Sequence, residues 1–387
     1  MRLLLPTLIV LAMFLTGALT AVPLPAASQS TPIRIVTWAL PVGSQARVYE
    51  IYCGLKAMLT FLNVKGGFGG SRLEFYTQEM DDTTPNFPAR LNTMILQSQP
   101  IIVVGGAVST RSGETADYFR RTGLVWFGPW SQWNTLYRGA PDDPVGLIPS
   151  PEDQIDLLFD HVARRLGAGT QIMVINQEFE GRSDLSSQSV KQAADKYGLS
   201  LNYKVIDQKF RDWVNFKDQA QGAAAILLWV PSGPAAALVR TLKPVLPKET
   251  LFLTHALNPP GVELWDLTTG LWEGMIFPSI LFPDSIMVQA YDGVINHYGP
   301  KGLNPSYLSY LGVAQAQIMA RSLMNLSPGN KNEAVRKALN AEDGGGTMLT
   351  NNVVFGTGLP PKSSAFLAVV TKNRNWKPLG AVQNQAQ

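Results

Sequence analysis

Residues 101–111 read IIVVGGAVSTR, and this stretch decides the fold class. An unbroken apolar run from Ile101 to Val104 ends at two glycines, and the hydroxyl residues Ser109 and Thr110 follow before a helical stretch begins. A run this apolar is typical of a parallel strand that helices cover on both faces. The stretch therefore predicts an α/β fold with parallel-rich sheets.

Strands and helices alternate on both sides of this stretch. Upstream, strands are predicted over Ile33 to Trp38 and Arg72 to Thr77, and the apolar residues between them recur at helical spacing. Downstream, Leu124 to Phe127 is another apolar strand, which ends at Gly128-Pro129. These elements predict one α/β module before residue 150.

A second α/β cycle begins at Ser150-Pro151-Glu152-Asp153, where a capping Ser, a Pro at the first helical position and two early acids indicate a helix start. The predicted strands of this cycle are Gln171 to Ile175, Leu201 to Ile206, Ala225 to Val230 and Leu251 to Thr254. Two similar α/β modules in succession predict two lobes.

The last third of the chain does not form a third module. Its predicted elements are a strand at Trp272 to Phe277, helices at Ile286 to His297 and Tyr307 to Leu326, and a strand at Phe366 to Thr371. Because the two helices lack a full set of strands, we expect them to complete a lobe that began earlier. The chain would then cross between the lobes more than once, and several crossings form a hinge.

The N-terminus has the pattern of a secretory signal peptide. Arg2 precedes an apolar stretch from Leu3 to about Leu19, and the small residues Ala26 to Ser28 follow. The apolar stretch is short for a membrane span, which needs roughly 20 residues. We therefore expect residues 1–28 to be a cleaved leader and the protein to be exported to the periplasm, with a retained membrane anchor as the alternative.

Composition excludes some classes of function. Charged residues make up 16% of the chain and the formal net charge is +3, with no dense run of Lys or Arg, so nucleic-acid binding is not expected. Cys53 is the only cysteine, which rules out an internal disulfide. Its apolar neighbours predict that its thiol is buried on a helix.

No catalytic constellation is recognisable in the sequence. The three histidines lack metal-ligand spacing, and the chain has neither a Gly-x-Ser-x-Gly elbow nor a phosphate-binding loop. Asp81-Asp82 follows a strand and is predicted to be a solvated turn rather than a metal or acid pair. We therefore expect a non-enzymatic protein without a metal or cofactor.

Polar and aromatic residues follow two strands of the first module. Hydroxyls and free N–H groups at Ser109 and Thr110 precede a helix and could hold a carboxylate without any full charge. Trp130, Ser131 and Gln132 follow the next strand. Since ligands of open α/β sheets bind outside the carboxyl ends of the strands, these residues predict a binding site. The alternative for Ser109 and Ser131 is a role as helix caps.

In their order and spacing, several motifs resemble the leucine-binding, branched-chain amino-acid type of periplasmic binding protein, the solute receptors of ABC importers. The motifs are YCGLKA at 52–57, KGGFGG at 65–70, the acid-ended strand at 76–82, Val104-Gly105 with Ser109, and Leu124 to Pro129. The resemblance covers nearly the whole mature chain. It implies two Rossmann-like lobes joined by three crossovers, formed by residues 31–149 with 279–352 and by residues 150–278 with 353–380, and followed by a tail at 381–387.

The resemblance also implies a set of ligand-binding residues. In the first lobe, Ser109 and the group Trp130, Ser131 and Gln132 would hold the carboxylate and ammonium of the ligand. The second lobe would contribute residues that follow its strands. They are Phe179 or Glu180, the residues from Trp229 to Ser232, and His255 to Ala256.

The sequence also departs from this family. No carboxylate lies near Ala256, where the family has its acid for the α-ammonium group, and Arg47 stands near the position of a first-lobe aromatic. Burying an ammonium without a partner would cost several kcal/mol, so a plain amino acid is disfavoured as the ligand unless Glu180 supplies the charge. Four aromatic residues could form a flat apolar cleft instead, or could be core; they are Trp130, Trp133, Phe179 and Trp229.

The sequence thus predicts a monomeric periplasmic protein that captures a small organic ligand, which is amino acid-like, an aromatic acid or an apolar compound. The two lobes would close about a hinge, and the closed form would deliver the ligand to an inner-membrane ABC permease. The alternative is a periplasmic sensor subunit that presents its ligand state to a signalling receptor. An exported hydrolase or dehydrogenase is a more remote third possibility, because no activated nucleophile or cofactor loop is visible.

Overall fold

The computed structural model describes residues 32–41, 48–67, 70–258, 262–324, 326, 332–342, 347–349, 365–372 and 375–379. The predicted signal peptide at 1–28, the predicted tail at 381–387 and the candidate site residue Arg47 lie outside the described residues. The lobe segment 353–380 is described only in part.

The chain alternates strands and helices for most of its described length. The strands are Ile33–Trp38 (β1), Leu73–Gln78 (β2), Ile102–Val104 (β3), Trp126–Phe127 (β4), Gln171–Gln177 (β5), Ser200–Ile206 (β6), Ala225–Trp229 (β7), Leu251–Thr254 (β8), Ile276–Ser279 (β9), Phe366–Val370 (β10) and Trp376–Pro378 (β11). The helices are Val48–Val64 (α1), Phe87–Ser98 (α2), Ser112–Thr122 (α3), Pro151–Leu166 (α4), Ser187–Lys196 (α5), Phe216–Gln219 (α6), Ser232–Leu242 (α7), Val262–Leu267 (α8), Ser285–Tyr298 (α9), Tyr307–Met324 (α10) and Asn332–Asn340 (α11).

The first sheet is parallel and has the strand order β2-β1-β3-β4. Its central strands carry apolar side chains on both faces, and Ile35, Val36, Ile102 and Val103 have no exposed surface. Continuous burial of this kind follows from helices packing on both sides of the sheet, which is why the stretch at 101–104 has no polar alternation. The predicted α/β class is confirmed.

The second sheet has seven strands in the order β11-β10-β9-β8-β7-β5-β6. Strands β5 to β9 pair in parallel, and β10 runs antiparallel to both β9 and β11. Ser150 caps α4, the helix that opens this module, and its hydroxyl accepts the N–H of Asp153. The chain therefore contains two parallel-rich α/β lobes, each built around one of the two sheets.

The helices of the last third pack on the first lobe, whereas β10 and β11 extend the second sheet. Both α9 and α10 contact α1, and α10 is buried along nearly its whole length. The chain thus passes between the lobes more than once, as the sequence predicts; the lobe boundaries themselves stay a prediction. Over the part of the chain that the structure describes, no helix is long and apolar enough to span a membrane.

Two predicted strands begin too early: β4 begins at Trp126 rather than at Leu124, and the larger error is at β9. The sequence favours a strand from Trp272 to Phe277, but β9 begins at Ile276. The residues before it form turns, and Gly274 has a φ of 83° that breaks the extended conformation. Trp272 is fully buried beneath this turn, so its apolar character reflects core packing and not strand pairing.

Cys53 is buried in α1, as the sequence predicts, with 1% of its surface exposed. Burial, together with the charge of Glu50, raises the pKa of the thiol to about 12. Because the thiolate is the reactive form, we expect a disulfide reagent such as DTNB to leave the native protein unmodified and to titrate one thiol after unfolding in guanidinium chloride. Fast modification of the folded protein would contradict the burial of this helix face.

Candidate ligand-binding site

A cavity of about 800 Å³ lies where the carboxyl ends of strands from both sheets meet. Its walls are the segments that follow β2, β3 and β4 of the first sheet and β5 to β8 of the second. Parallel strands present their carboxyl ends at one edge, so the residues after them converge at that edge. The volume is within the range of small-molecule sites, which is roughly 300–1,000 Å³.

Ten of the eleven residues that the sequence predicts for the site line this cavity. They are Ser109, Thr110, Trp130, Ser131, Gln132, Phe179, Glu180, Trp229, Ser232 and His255. The eleventh, Arg47, is not described, although its neighbour Val48 is part of the wall. The structure brings the predicted residues together, and their contact with a ligand stays a prediction.

The cavity also has walls that sequence reasoning missed. The additional side chains include an acid, an exposed base, an amide and an aromatic residue, namely Asp184, Arg211, Gln177 and Trp213. Trp133, which the sequence predicts as a possible aromatic wall, also lines the cavity. Trp213 and Arg211 follow β6, and a search of every strand end, rather than of selected ones, would have found them.

Trp130 lines the cavity and connects the first-lobe wall to α10. It is 2% exposed, and its indole N–H donates to Gln315 Oε1 at 2.8 Å. The amide of Gln315 in turn donates to the carbonyls of Phe127 and Gly128, both at 3.0 Å. These three hydrogen bonds connect the end of β4 and the segment after it to the middle of α10.

The Asp81-Asp82 turn is buried, so its prediction as a solvated turn is wrong. Asp82 accepts the N–H of Ser109 at 2.5 Å, the Ser109 hydroxyl at 3.0 Å and the N–H of Arg111 at 3.0 Å. Asp81 accepts both the N–H and the hydroxyl of Thr83. Burial raises the pKa of Asp82, whereas the bonds from Ser109 and Arg111 lower it, with burial the larger effect.

Neither Ser109 nor Ser131 caps a helix. Helix α3 begins at Ser112 after Arg111 and has no side-chain cap, while Ser131 Oγ accepts the N–H of Trp133 at 3.3 Å. The bonds to Asp82 also change the interpretation of Ser109, because the N–H and hydroxyl proposed for a ligand carboxylate already bind a carboxylate of the protein.

Asp184 is the most consequential residue that the sequence analysis missed. It lies seven residues beyond the end of β5 and accepts the indole N–H of Trp229 at 2.9 Å. The amide of Gln132, from the other lobe, also donates to it. Burial raises the pKa of Asp184, and the bonds from Trp229 and Gln132 oppose this effect without cancelling it.

Amide hydrogen bonds connect the wall after β4 with the second lobe. Gln154, near the start of α4, donates to Gln132 Oε1 at 3.3 Å and to the carbonyl of Pro149 at 2.8 Å. Its own oxygen accepts the N–H of Ala256 at 2.8 Å. Ala256 is the position near which the resemblance implies an acid. Its backbone N–H is instead bound by the side chain of Gln154.

His255 is held by backbone groups of two loops, the one after β7 and its own after β8. Its Nδ1 accepts the N–H of Leu257 at 3.3 Å, which leaves the proton on Nε2, 3.3 Å from the carbonyl of Val230. The ring also packs against Trp229, with the ring centres 5.2 Å apart. Within the described ranges, no group of His, Cys, Asp and Glu could hold a metal ion.

A sequence model of the periplasmic binding protein family matches residues 53–373, which is most of the chain. The chain belongs to this family. No curated protein sequence is significantly similar to it.

Solved structures with the same fold include three periplasmic or transporter-associated binding proteins. A substrate-binding periplasmic protein from Ralstonia solanacearum has 19% identity, a TM-score of 0.73, and coverage of 90% of this chain and 100% of that chain. A possible leucine/isoleucine/valine-binding protein from Rhodopirellula baltica has 15% identity, a TM-score of 0.75, and coverage of 93% and 98%. A fatty acid ABC transporter substrate-binding protein from Thermomonospora curvata has 17% identity, a TM-score of 0.67, and coverage of 88% of each chain. At these identities the similarity establishes the two-lobed fold.

Proposed function

We propose that this protein is an exported, non-enzymatic substrate-binding protein that captures a small organic ligand between its two lobes and delivers it to an inner-membrane ABC permease. The observation that carries the proposal is the cavity of about 800 Å³, to which the strand ends of both lobes contribute. A site shared by two lobes couples ligand binding to closure, because the ligand contacts both walls only when the lobes approach each other.

The family and the neighbouring structures support this function at the level of the class. Proteins with this fold are named for branched-chain amino acids in one case and for fatty acids in another. Because those two ligand types share little chemistry, neither name is transferred to this chain. We further propose that the protein acts in the periplasm as a monomer. The family and the leader pattern at 1–28 support the periplasmic location.

A thermal-shift screen of the chain from Gln29 onward tests the binding function. The panel contains amino acids, aromatic acids, amines, amides and lipids, and a ligand at a hundred times its Kd should add about 2.7 kcal/mol to the free energy of unfolding. We expect Ala237→Trp to reduce this shift, because Ala237 is half-buried in the cavity wall and an indole there would occupy part of the ligand volume. Ala89→Trp, at an exposed position on α2, is the matched control.

Two results would contradict the proposed function. The first is equal ligand-induced stabilisation of Ala237→Trp and the parent, which would place binding elsewhere. The second is unimpaired uptake of the bound compound in cells that lack this protein, which would favour the sensor alternative over delivery to a permease.

A further inference from the structure

The charged side chains on the cavity wall are predominantly acidic. Among the described lining residues they are Glu180, Asp184 and Arg211. Arg211 is exposed, and its guanidinium donates to the carbonyls of Gln208 at 2.8 Å and Phe210 at 2.6 Å. Glu180 is exposed as well, so solvent screens both of these opposite charges, and Asp184 is the least screened charge on the wall.

Asp184 is the charge with the largest influence, because it is the less exposed of the two acids. Its neighbours are the neutral donors Trp229 and Gln132, which stabilise the carboxylate through hydrogen bonds without neutralising it. Among the ion pairs of the described residues, none involves Asp184. A partly desolvated carboxylate without a cationic partner gains from a positive charge placed beside it.

A neutral oxygen on the same wall adds to this preference for a positive charge. Gln177, at the end of β5, is 6% exposed and donates its amide N–H to the carbonyl of Asp207 at 3.2 Å. Its Oε1 has almost no accessible surface, and no donor among the described residues bonds to it. Because no donor offsets the partial negative charge of this oxygen, it favours a cation and disfavours an anion nearby.

Ser109 does not offer a free anion site on the first-lobe wall. The Ser109 N–H and hydroxyl that would suit a ligand carboxylate are bonded to Asp82. A second carboxylate at the same donors would meet the charge of Asp82 at short range, in a buried setting where like charges repel strongly.

The aromatic walls have the chemistry that complements a cation. Trp133, Phe179, Trp213 and Trp229 all line the cavity. The faces of aromatic rings carry negative electrostatic potential and attract ammonium and guanidinium groups, most strongly for Trp. The same rings also provide apolar surface for the uncharged part of a ligand.

We propose that the ligand is an organic cation, an ammonium or amidinium with an aromatic or apolar body and no carboxylate, whose charge Asp184 balances. This inference rests on the proposed binding function. It accounts for the acid missing near Ala256, because the anionic partner is supplied by a different strand end.

Calorimetric titration with compounds of matched size tests the charge preference. The probes are 2-phenylethylamine, tryptamine, 3-phenylpropionate, L-phenylalanine and 2-phenylethanol. We expect the two amines to bind most tightly, and we expect Asp184→Asn to weaken them about 10- to 100-fold, the range for losing a hydrogen bond to a charged group. Asp195→Asn is the matched control, because Asp195 is an exposed acid on α5 that does not line the cavity.

Each other outcome overturns a defined part of the inference. Tighter binding of 3-phenylpropionate or L-phenylalanine than of the amines refutes the cation proposal and leaves the binding function standing. Unchanged amine binding in Asp184→Asn refutes the role of Asp184, and so does an equal loss of amine binding in Asp195→Asn. Failure of every probe, with no stabilising compound in the wider screen, counts against both proposals.

Discussion

Replacing Gly54 by Ala is expected to lower the free energy of unfolding by about 3 kcal/mol, because the new methyl group has no space between two helices. An ideal Cβ at Gly54 would lie 1.8 Å from the carbonyl oxygen of Ser309 in α10. The contact is reciprocal, since a Cβ at Gly312 would lie 2.0 Å from the carbonyl oxygen of Ile51 in α1. Both obstacles are backbone atoms, so the helices themselves would have to move apart.

The effect runs against helix propensity, which makes the test discriminating. Ala is the better helix former, and it should stabilise an open helical site by up to about 1 kcal/mol relative to Gly. Gly293 in α9 is such a site, because no atom lies within 4 Å of its added Cβ. We therefore expect Gly293→Ala to unfold at an equal or higher denaturant concentration than the parent, and Gly54→Ala at a much lower one.

Urea denaturation followed by tryptophan fluorescence measures both variants. An unfolding midpoint of Gly54→Ala equal to that of the parent would show that α1 and α10 do not meet at their backbones. Helices α9 and α10 would then not pack on the first lobe as described. The chain would also not cross between the lobes in the way that this packing requires.

Burial on both faces explains which elements the sequence predicted well. The bounds of β1 at Ile33–Trp38 and of β8 at Leu251–Thr254 agree with prediction to the residue, because four of the six residues of β1 and three of the four of β8 are apolar. Strand β11 was missed, since its three residues include Lys377 and it is recognisable only through its pairing with β10. A short edge strand carries no period that distinguishes it from a loop.

The same contrast holds for the candidate site. The carboxyl-end rule places residues such as Ser131 and Ser232 at one cavity because strand direction alone decides where strand ends lie. The rule does not state which donors a carboxylate meets. Asp82 bonds to Ser109 across 27 positions, and Asp184 bonds to Trp229 across 45, so both partnerships depend on how separate loops pack.

Asp143→Ala is expected to destabilise the first lobe by about 3–5 kcal/mol, the usual cost of removing one partner of a buried ion pair. Asp143 is fully buried and accepts Arg120 Nε at 2.7 Å. It also accepts the backbone N–H groups of Arg138 at 2.6 Å and Ala140 at 3.0 Å. Its loss would leave these two backbone donors unpaired, and it would leave the guanidinium of Arg120, 8% exposed, with Asp117 as its remaining acid.

Asp160→Ala is the matched control, because Asp160 forms an ion pair with Arg164 on the exposed side of α4, at 2.9 Å. Such helical pairs contribute about 0.5 kcal/mol, so the control should unfold close to the parent in urea. Equal losses in the two variants would mean that the desolvation of Asp143 and Arg120 offsets their attraction. The larger loss that we expect for Asp143→Ala would instead show that Asp143 stabilises the segment between β4 and α4. The same segment contains the first-lobe wall of the cavity, at Trp130 to Trp133.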